Sequence, residues 1–130
     1  MREPEWVRRD VVLRMHEESL KEHGGPEGVR DQGLLESALA RPKNHFVYAE
    51  KQSSLAQFAA AYARGITANH PFVDGNKRTA FLVSVTFLRL NGFALTASKE
   101  DRVLTFWALA AGELSEEQLA QWFERNTAPV

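Results

Sequence analysis

The sequence predicts an all-α fold, and three observations carry that expectation. Successive segments place their apolar residues at helical spacing, i, i+3, i+4 and i+7. Little of the chain alternates with the period of two that strands require. The run from Thr79 to Leu90 carries Ala80, Phe81, Leu82, Val83, Val85, Phe87, Leu88 and Leu90, and is apolar on nearly every side. A helix of that kind is enclosed by its neighbours, whereas a surface helix shows a single stripe. A central buried helix is therefore expected here, with room elsewhere for a minor β-hairpin or flap.

With 130 residues, the chain (1–130) is expected to form a single domain with one core and no need of metal or disulfide staples. The absence of cysteine excludes disulfides and thiolate metal sites and fits a reducing compartment. Met1 to Asp10 carries six charged residues and no apolar run, unlike a signal peptide, so a cytoplasmic location is expected. The Thr79 to Leu90 run, at about a dozen residues, is too short to span a bilayer, and no membrane partner is expected. A formal charge of −1 gives no basic surface on which to build nucleic-acid binding.

In chain order, Val12, Met15, His16, Ser19 and Leu20 define a helix from about Arg9 to Glu22, ended by Gly24 and Gly25. His16 lies on its inner face and is read as a buried histidine bonded to a neighbouring backbone carbonyl. His23 and His45 lack supporting spacing and are expected on the surface or in loops. Asp31 can cap a helix with Leu34, Leu35, Ala38 and Leu39 that stops before Pro42. Pro42 to Gln52 is expected to be irregular. Ser53 and Ser54 open a helix with Leu55, Phe58, Ala59, Tyr62 and Ile66 in line, whose alanines would let the central helix approach closely. Asn91 and Gly92 stop that central helix, and Phe93 to Thr96 reads as extended. Ser98 starts a helix with Val103, Leu104, Phe106, Trp107 and Ala110 that ends at Gly112. Ser115 and Gln118 form a capping-box pattern for a last helix with Leu119, Trp122 and Phe123. Trp107, Trp122 and Phe123 are expected in the core.

Between two of these helices lies His70 to Arg78, HPFVDGNKR, which packs an imidazole, a carboxylate, an amide, an ammonium and a guanidinium into nine residues. It leads into the first turn of the central helix, where N–H groups lack intrahelical partners and the macrodipole is positive, an arrangement that attracts phosphate. Asn76 is expected to cap that helix and to place its amide at the anion. Lys77 and Arg78 add positive charge where the helix itself disfavours it, and a local rule broken at a buried helix start suggests a function that compensates. Gly75 permits a positive φ or a close backbone approach to a ligand. His70, preceding Pro71, is biased toward an extended conformation.

This loop resembles the signature of the Fic/Doc family, written HxFx[D/E]GNxR. With lysine between the asparagine and the arginine, it is most similar to the Doc branch, the death-on-curing toxins of type II toxin–antitoxin systems. The segments VVLRMHEESLKEHGG, RDQGLLESALARP and TFLRLNGF are similar to the same pattern. The resemblance implies a compact helical domain that transfers the γ-phosphate of ATP, with Mg2+, to a threonine hydroxyl of elongation factor Tu and so stops translation. On that footing His70 is the general base for the attacking hydroxyl, since an imidazole exchanges protons near neutral pH. Asp74 holds the magnesium ion, which commonly needs only one or two protein carboxylates beside phosphate oxygens and water. Gly75 lets backbone amides approach the anion and Asn76 bonds a phosphate oxygen. Arg78 grips phosphate through its planar fork, and Lys77 neutralises charge that builds in transfer. Phe72 is read as an apolar peg holding the loop to the core. A flap that aligns the target is implied around Lys43 to Tyr48, although Phe46 and Tyr48 also suit packing roles.

Family members that transfer AMP usually read GNGR, with a second arginine three residues further on. Lys77 and Phe81 stand at those positions here, which favours phosphate over AMP transfer. A nucleotidyl transferase acting on a protein hydroxyl is the second reading, and a catalytically silent antitoxin-binding corepressor the third. The inhibitory run [S/T]xxxE[G/N] of many Fic proteins is missing, since Ser19 is followed by His23 and Gly24 at the matching spacing. Inhibition in trans is therefore expected, by a small antitoxin that folds on binding and covers an apolar groove.

Overall fold

The computed structural model describes residues 2–48 and 53–130. In chain order they form α1 (Arg9–His23), α2 (Gln32–Tyr48), α3 (Leu55–Asn69), α4 (Asn76–Leu90), β1 (Phe93–Leu95), α5 (Lys99–Ala110), α6 (Glu116–Arg125) and β2 (Thr127–Pro129). The helix ends follow local chemistry. Gly24, at φ 76°, closes α1 and returns its N–H to Leu20 O at 2.7 Å. The Asp31 carboxylate accepts the Leu34 N–H at 2.9 Å. Ser54 with Gln57 and Ser115 with Gln118 form reciprocal capping boxes on α3 and α6, and Ser98 caps α5.

The chain does not stop its second helix before Pro42; α2 continues through it to Tyr48. Proline removes the donor that would meet the carbonyl of Ala38. That carbonyl lies against Gly65 of α3, where a β-carbon would stand only 3.1 Å from Ala38 O and 3.1 Å from its Cα. The glycine thus admits the neighbouring backbone, and the proline ring is itself buried. Of the stretch expected to be irregular, residues 49–52 lie outside the described residues.

Alanines make α3 the most enclosed helix. Ala56, Phe58 to Ala63 and Gly65 to Thr67 are buried, and α2, α4 and α6 all pack against it. The expected central helix, α4, lies along α3 and buries Thr79, Ala80, Val83, Ser84, Phe87 and Leu88, while Leu90 is exposed. Small side chains let neighbours close round α3 except along a strip of Gln57, Arg64 and Ala68, whereas Phe81, Leu82, Val85 and Thr86 leave a flank of α4 only half-buried. Trp6 packs among Phe46, Phe58 and Phe87, with ring centroids 5.5 to 6.1 Å away. The N-terminal segment is pinned by polar bonds too. Tyr62 accepts the Val7 N–H at 3.0 Å, and Asn91 exchanges bonds of 2.8 and 2.9 Å with the Glu5 backbone. Burial pushes the Tyr62 phenol up to about 12.

Two expectations change on the C-terminal side. The small β element is an antiparallel pair of β1 with β2, Phe93 opposite Pro129 and Leu95 opposite Thr127, closed across α5 and α6 rather than by a tight turn. Trp122 and Phe123 are buried as expected, but Trp107 is 60 % exposed. The buried face of α5 is Thr105, Phe106 and Leu109, so the next residue along the helix, Trp107, is turned about 100° away from it. No helix of the described residues is long and apolar enough to cross a membrane.

Candidate active site

The loop from His70 to Gly75 joins the end of α3 to the start of α4, and its shape begins with a strained residue. His70 is the one non-glycine described residue with positive φ, at φ 48° and ψ 56°, not in the extended conformation expected before proline. It caps α3 in the left-handed manner, its N–H bonded to Ile66 O at 3.1 Å. Such a conformation costs of order 1–3 kcal/mol and persists where surroundings enforce it. Arg30 enforces it. The guanidinium donates through Nε to His70 O at 2.7 Å and through a terminal nitrogen to Asn69 O at 2.9 Å. Downstream, the Pro71 carbonyl accepts the Arg30 and Asp31 N–H groups at 2.7 and 3.2 Å, and the Val73 N–H donates to Gly28 O at 3.1 Å. Residues 28–31 therefore run antiparallel beside the loop.

At the start of α4 the first helical bond is from the Thr79 N–H to Gly75 O, at 3.0 Å. The backbone N–H groups of Asn76, Lys77 and Arg78 meet no acceptor among the described residues. They form the positive helix end that the sequence led one to expect. The cap, however, is Gly75, at φ 80°, and no side chain caps this helix. Asn76 instead faces backward and staples the loop. Its Oδ1 accepts the Phe72 N–H at 3.0 Å, and its Nδ2 donates to Phe72 O at 2.9 Å and approaches His70 Nδ1 at 3.3 Å. Asn76 is only 7 % exposed and its carboxamide is fully engaged. What it offers an anion is its main-chain N–H. Because both bonds to Phe72 fix the amide's direction, Nδ1 of the exposed His70 ring is the accepting nitrogen, and the neutral ring carries its proton on Nε2.

The charged side chains are free of one another. Among the described residues Asp74, Lys77 and Arg78 form no ion pair. The exposed Asp74 carboxylate accepts the Gly75 N–H through Oδ1, at 2.8 Å. Its second oxygen lies against Gly25, where a β-carbon would collide with it. Arg78 makes one long contact, 3.4 Å, to the hydroxyl of Ser19 on α1. Lys77 turns the other way, its Nζ 3.4 Å from the ring centroid of Trp107. Burial and the neighbouring Arg78 hold the Lys77 ammonium below the usual lysine range. One carboxylate with an uncommitted oxygen, beside an anion seat, is a donor set that suits Mg2+ completed by phosphate oxygens and water. No cluster of three or more metal-ligating side chains occurs among the described residues.

Two supports of the loop were only partly visible in the sequence. His16 is buried, as expected, and its Nε2 lies 2.7 Å from the Asp74 carbonyl. Its ring stacks on Phe72 at 3.9 Å and 13°, so the buried Phe72 is the apolar peg of the loop. Arg30 carries no local sequence signal of its role, since its partners lie about forty positions away. The segment bordering the loop is 25–31, not Lys43 to Tyr48. Helix α2 begins beside Pro71, and Tyr48 lies at its far end, roughly 25 Å along a helix axis of 1.5 Å rise per residue. There Phe46 packs on Trp6 and Phe58, and Tyr48 is 78 % exposed.

A sequence model described as the Fic/DOC family matches residues 6–88. The protein named Toxin Doc from Mycolicibacterium smegmatis is 45% identical over 74 residues, which is 57% of this chain and 57% of that protein. The chain thus aligns with little more than half the length of that relative. Protein kinase doc of Escherichia phage P1 is 32% identical over 116 residues, 89% of this chain and 90% of that one. Since the matched span holds the whole loop, all of α3 and most of α4, the chain belongs to the Fic/DOC family.

Proposed function

We propose that this protein is the toxin of a toxin–antitoxin pair and a protein kinase of the Doc type. It moves the γ-phosphate of ATP to a protein hydroxyl, a threonine of a translation factor such as elongation factor Tu, and so arrests translation. The observation that carries this reading is the row of uncommitted N–H groups on Asn76, Lys77 and Arg78 beside an exposed imidazole. The names of the two relatives, Toxin Doc and Protein kinase doc, support the toxin and phosphate-transfer parts of it. The protein acts as one cytoplasmic domain and is inhibited in trans by a small antitoxin.

Phosphoryl transfer asks a protein mainly for positioning and charge, and this site offers both. The γ-phosphate sits on the free N–H groups, with the Gly75 backbone close by. The target oxygen bonds to the γ-phosphorus, the bond from phosphorus to the β–γ bridging oxygen breaks, ADP leaves, and the hydroxyl proton passes to His70. To take it, the imidazole gives up its 3.3 Å contact with Asn76 or turns about its own axis, a small cost for so long a bond. Arg78, without a carboxylate partner, clamps phosphate oxygens, and Lys77 neutralises charge on the transferred group once it leaves Trp107. Asp74 would hold Mg2+ through the carboxylate oxygen that accepts no hydrogen bond. When bound, that ion supplies Lewis-acid neutralisation of the phosphate charge.

The test is ATP labelled at the γ or the α position, incubated with the protein and its target. Label from the γ position on the target is expected, lost in His70→Asn. Label from the α position would replace the kinase reading with nucleotidyl transfer, and no label from either, with antitoxin binding intact, would leave a silent corepressor.

A further inference from the structure

Beside the phosphate seat, α4 and α5 enclose a cleft of about 630 Å³. Lys77, Arg78, Lys99 and Arg102 line it, with no carboxylate among them and none paired to one among the described residues. That is a local excess of cations in a chain of formal charge −1. The remaining walls are apolar, chiefly Phe81 and Trp107. An indole 60 % exposed on a helix whose inner face is filled by Phe106 and Leu109 contributes little to the core. Its ring is covered instead by an ammonium that belongs to the phosphate seat.

A cleft with a flat aromatic wall and several cations at one mouth suits a ligand with a planar base and a polyphosphate. We infer that Trp107 is the platform on which the base of the phosphate donor stacks, and that Lys77 occupies the ring face only until the nucleotide arrives. The base takes the place of the ammonium on the indole. Lys77 swings to the phosphates, where a cation has stronger partners than a ring quadrupole. Arg78 and Lys99 line the same cleft and add charge along it. The Arg102 guanidinium donates to Ala97 O at 2.8 Å and to Leu95 O at 3.4 Å, so it serves as a fixed charge. This inference rests on the phosphate-transfer reading for its ligand, but it concerns binding of the base.

The experiment compares ATP with inorganic tripolyphosphate on the whole protein, wild type, Trp107→Phe and Trp107→Ala, by calorimetry. Stacking on an aromatic side chain predicts that Trp107→Ala weakens ATP roughly 5- to 150-fold, while Trp107→Phe keeps most of the affinity. Tripolyphosphate, lacking a base, should bind all three within about a factor of two. ATP should also shield the Trp107 fluorescence, taken as the difference from Trp107→Phe, against acrylamide, and tripolyphosphate should not. Unchanged ATP affinity in Trp107→Ala, or equal loss for both ligands, would overturn the platform; so would an acidic partner segment, rather than ATP, shielding the indole. The two readings fail separately. Transfer of γ label with an indifferent Trp107 removes only the platform, and a Trp107-dependent nucleotide that delivers its α label removes only the kinase. Thermal melting checks folding, and an exposed side chain should leave it close to wild type.

Discussion

Replacing His16 tests whether the signature loop is held from below or merely covered. The ring is 3 % exposed, donates to the Asp74 carbonyl at 2.7 Å and stacks on Phe72 at 3.9 Å. The hydrogen bond is worth about 1 kcal/mol net, and the aromatic stack about 0.5–1.5 kcal/mol beyond its area. His16→Ala also leaves a void, so a total loss of about 3 kcal/mol is expected, a large fraction of a domain's margin of roughly 5–15 kcal/mol. His16→Phe separates the contributions, because it keeps the ring and the stack and removes only the donor. That variant should lose about 1–2 kcal/mol in urea unfolding and stay folded. Its Asp74 carbonyl is then untethered, and misplacement near 1 Å in a reacting site costs up to about 100-fold. With ATP saturating, kcat for phosphate transfer should therefore fall roughly tenfold or more, with a smaller change in KM. His16→Gln, which restores an N–H donor, should recover part of kcat. A Phe variant that transfers phosphate at the wild-type rate would refute the positioning role. An Ala variant within about 0.5 kcal/mol of wild type would refute the packing argument.

Asn76→Ala should strip Phe72 of both backbone partners in a buried setting and cost about 2–4 kcal/mol in denaturant unfolding; a loss below about 1 kcal/mol would show that water replaces the amide. Gly25→Ala puts a methyl into the Asp74 carboxylate at a backbone φ of 120°, and should raise the Mg2+ concentration needed for half-maximal transfer several-fold while leaving the α1 and α3 cores intact by circular dichroism. Tyr62 gives a pH signature. Its phenol titrates at about 12 in the folded protein against an ordinary tyrosine value of 10.0, so its contribution is full below about pH 10 and is lost as pH rises toward 12. The difference amounts to about 2–3 kcal/mol, read as a falling unfolding midpoint over that window. Tyr62→Phe should flatten this slope while leaving the Val7 N–H without its acceptor.

What the sequence made legible was what local chemistry decides. Ser54, Ser98 and Ser115 open α3, α5 and α6 as expected, the last through its capping box with Gln118, and Gly24 and Asn91 with Gly92 close α1 and α4. The polar and charged members of the loop were recognisable by composition alone. Their final directions were not, because each is set by a partner that composition does not reveal. Asn76 turns to the Phe72 peptide, His70 is bent by Arg30, and Lys77 turns to an indole on α5. The continuation of α2 through Pro42 depended on a glycine more than twenty residues away, and the exposure of Trp107 on which neighbour α5 turned toward. Helical periodicity names an apolar arc; it does not say which edge of that arc meets another helix.

The left-handed backbone at His70 bears on how an inert form of this protein should be made. Alanine there removes the imidazole but also a residue type that tolerates positive φ, so a dead protein could reflect a shifted chain as easily as missing chemistry. Asparagine accepts that conformation and cannot take up the proton. His70→Asn is thus the substitution for trapping a target beside an undisturbed seat, and any gap in target affinity between it and His70→Ala measures how much of recognition resides in the bend itself.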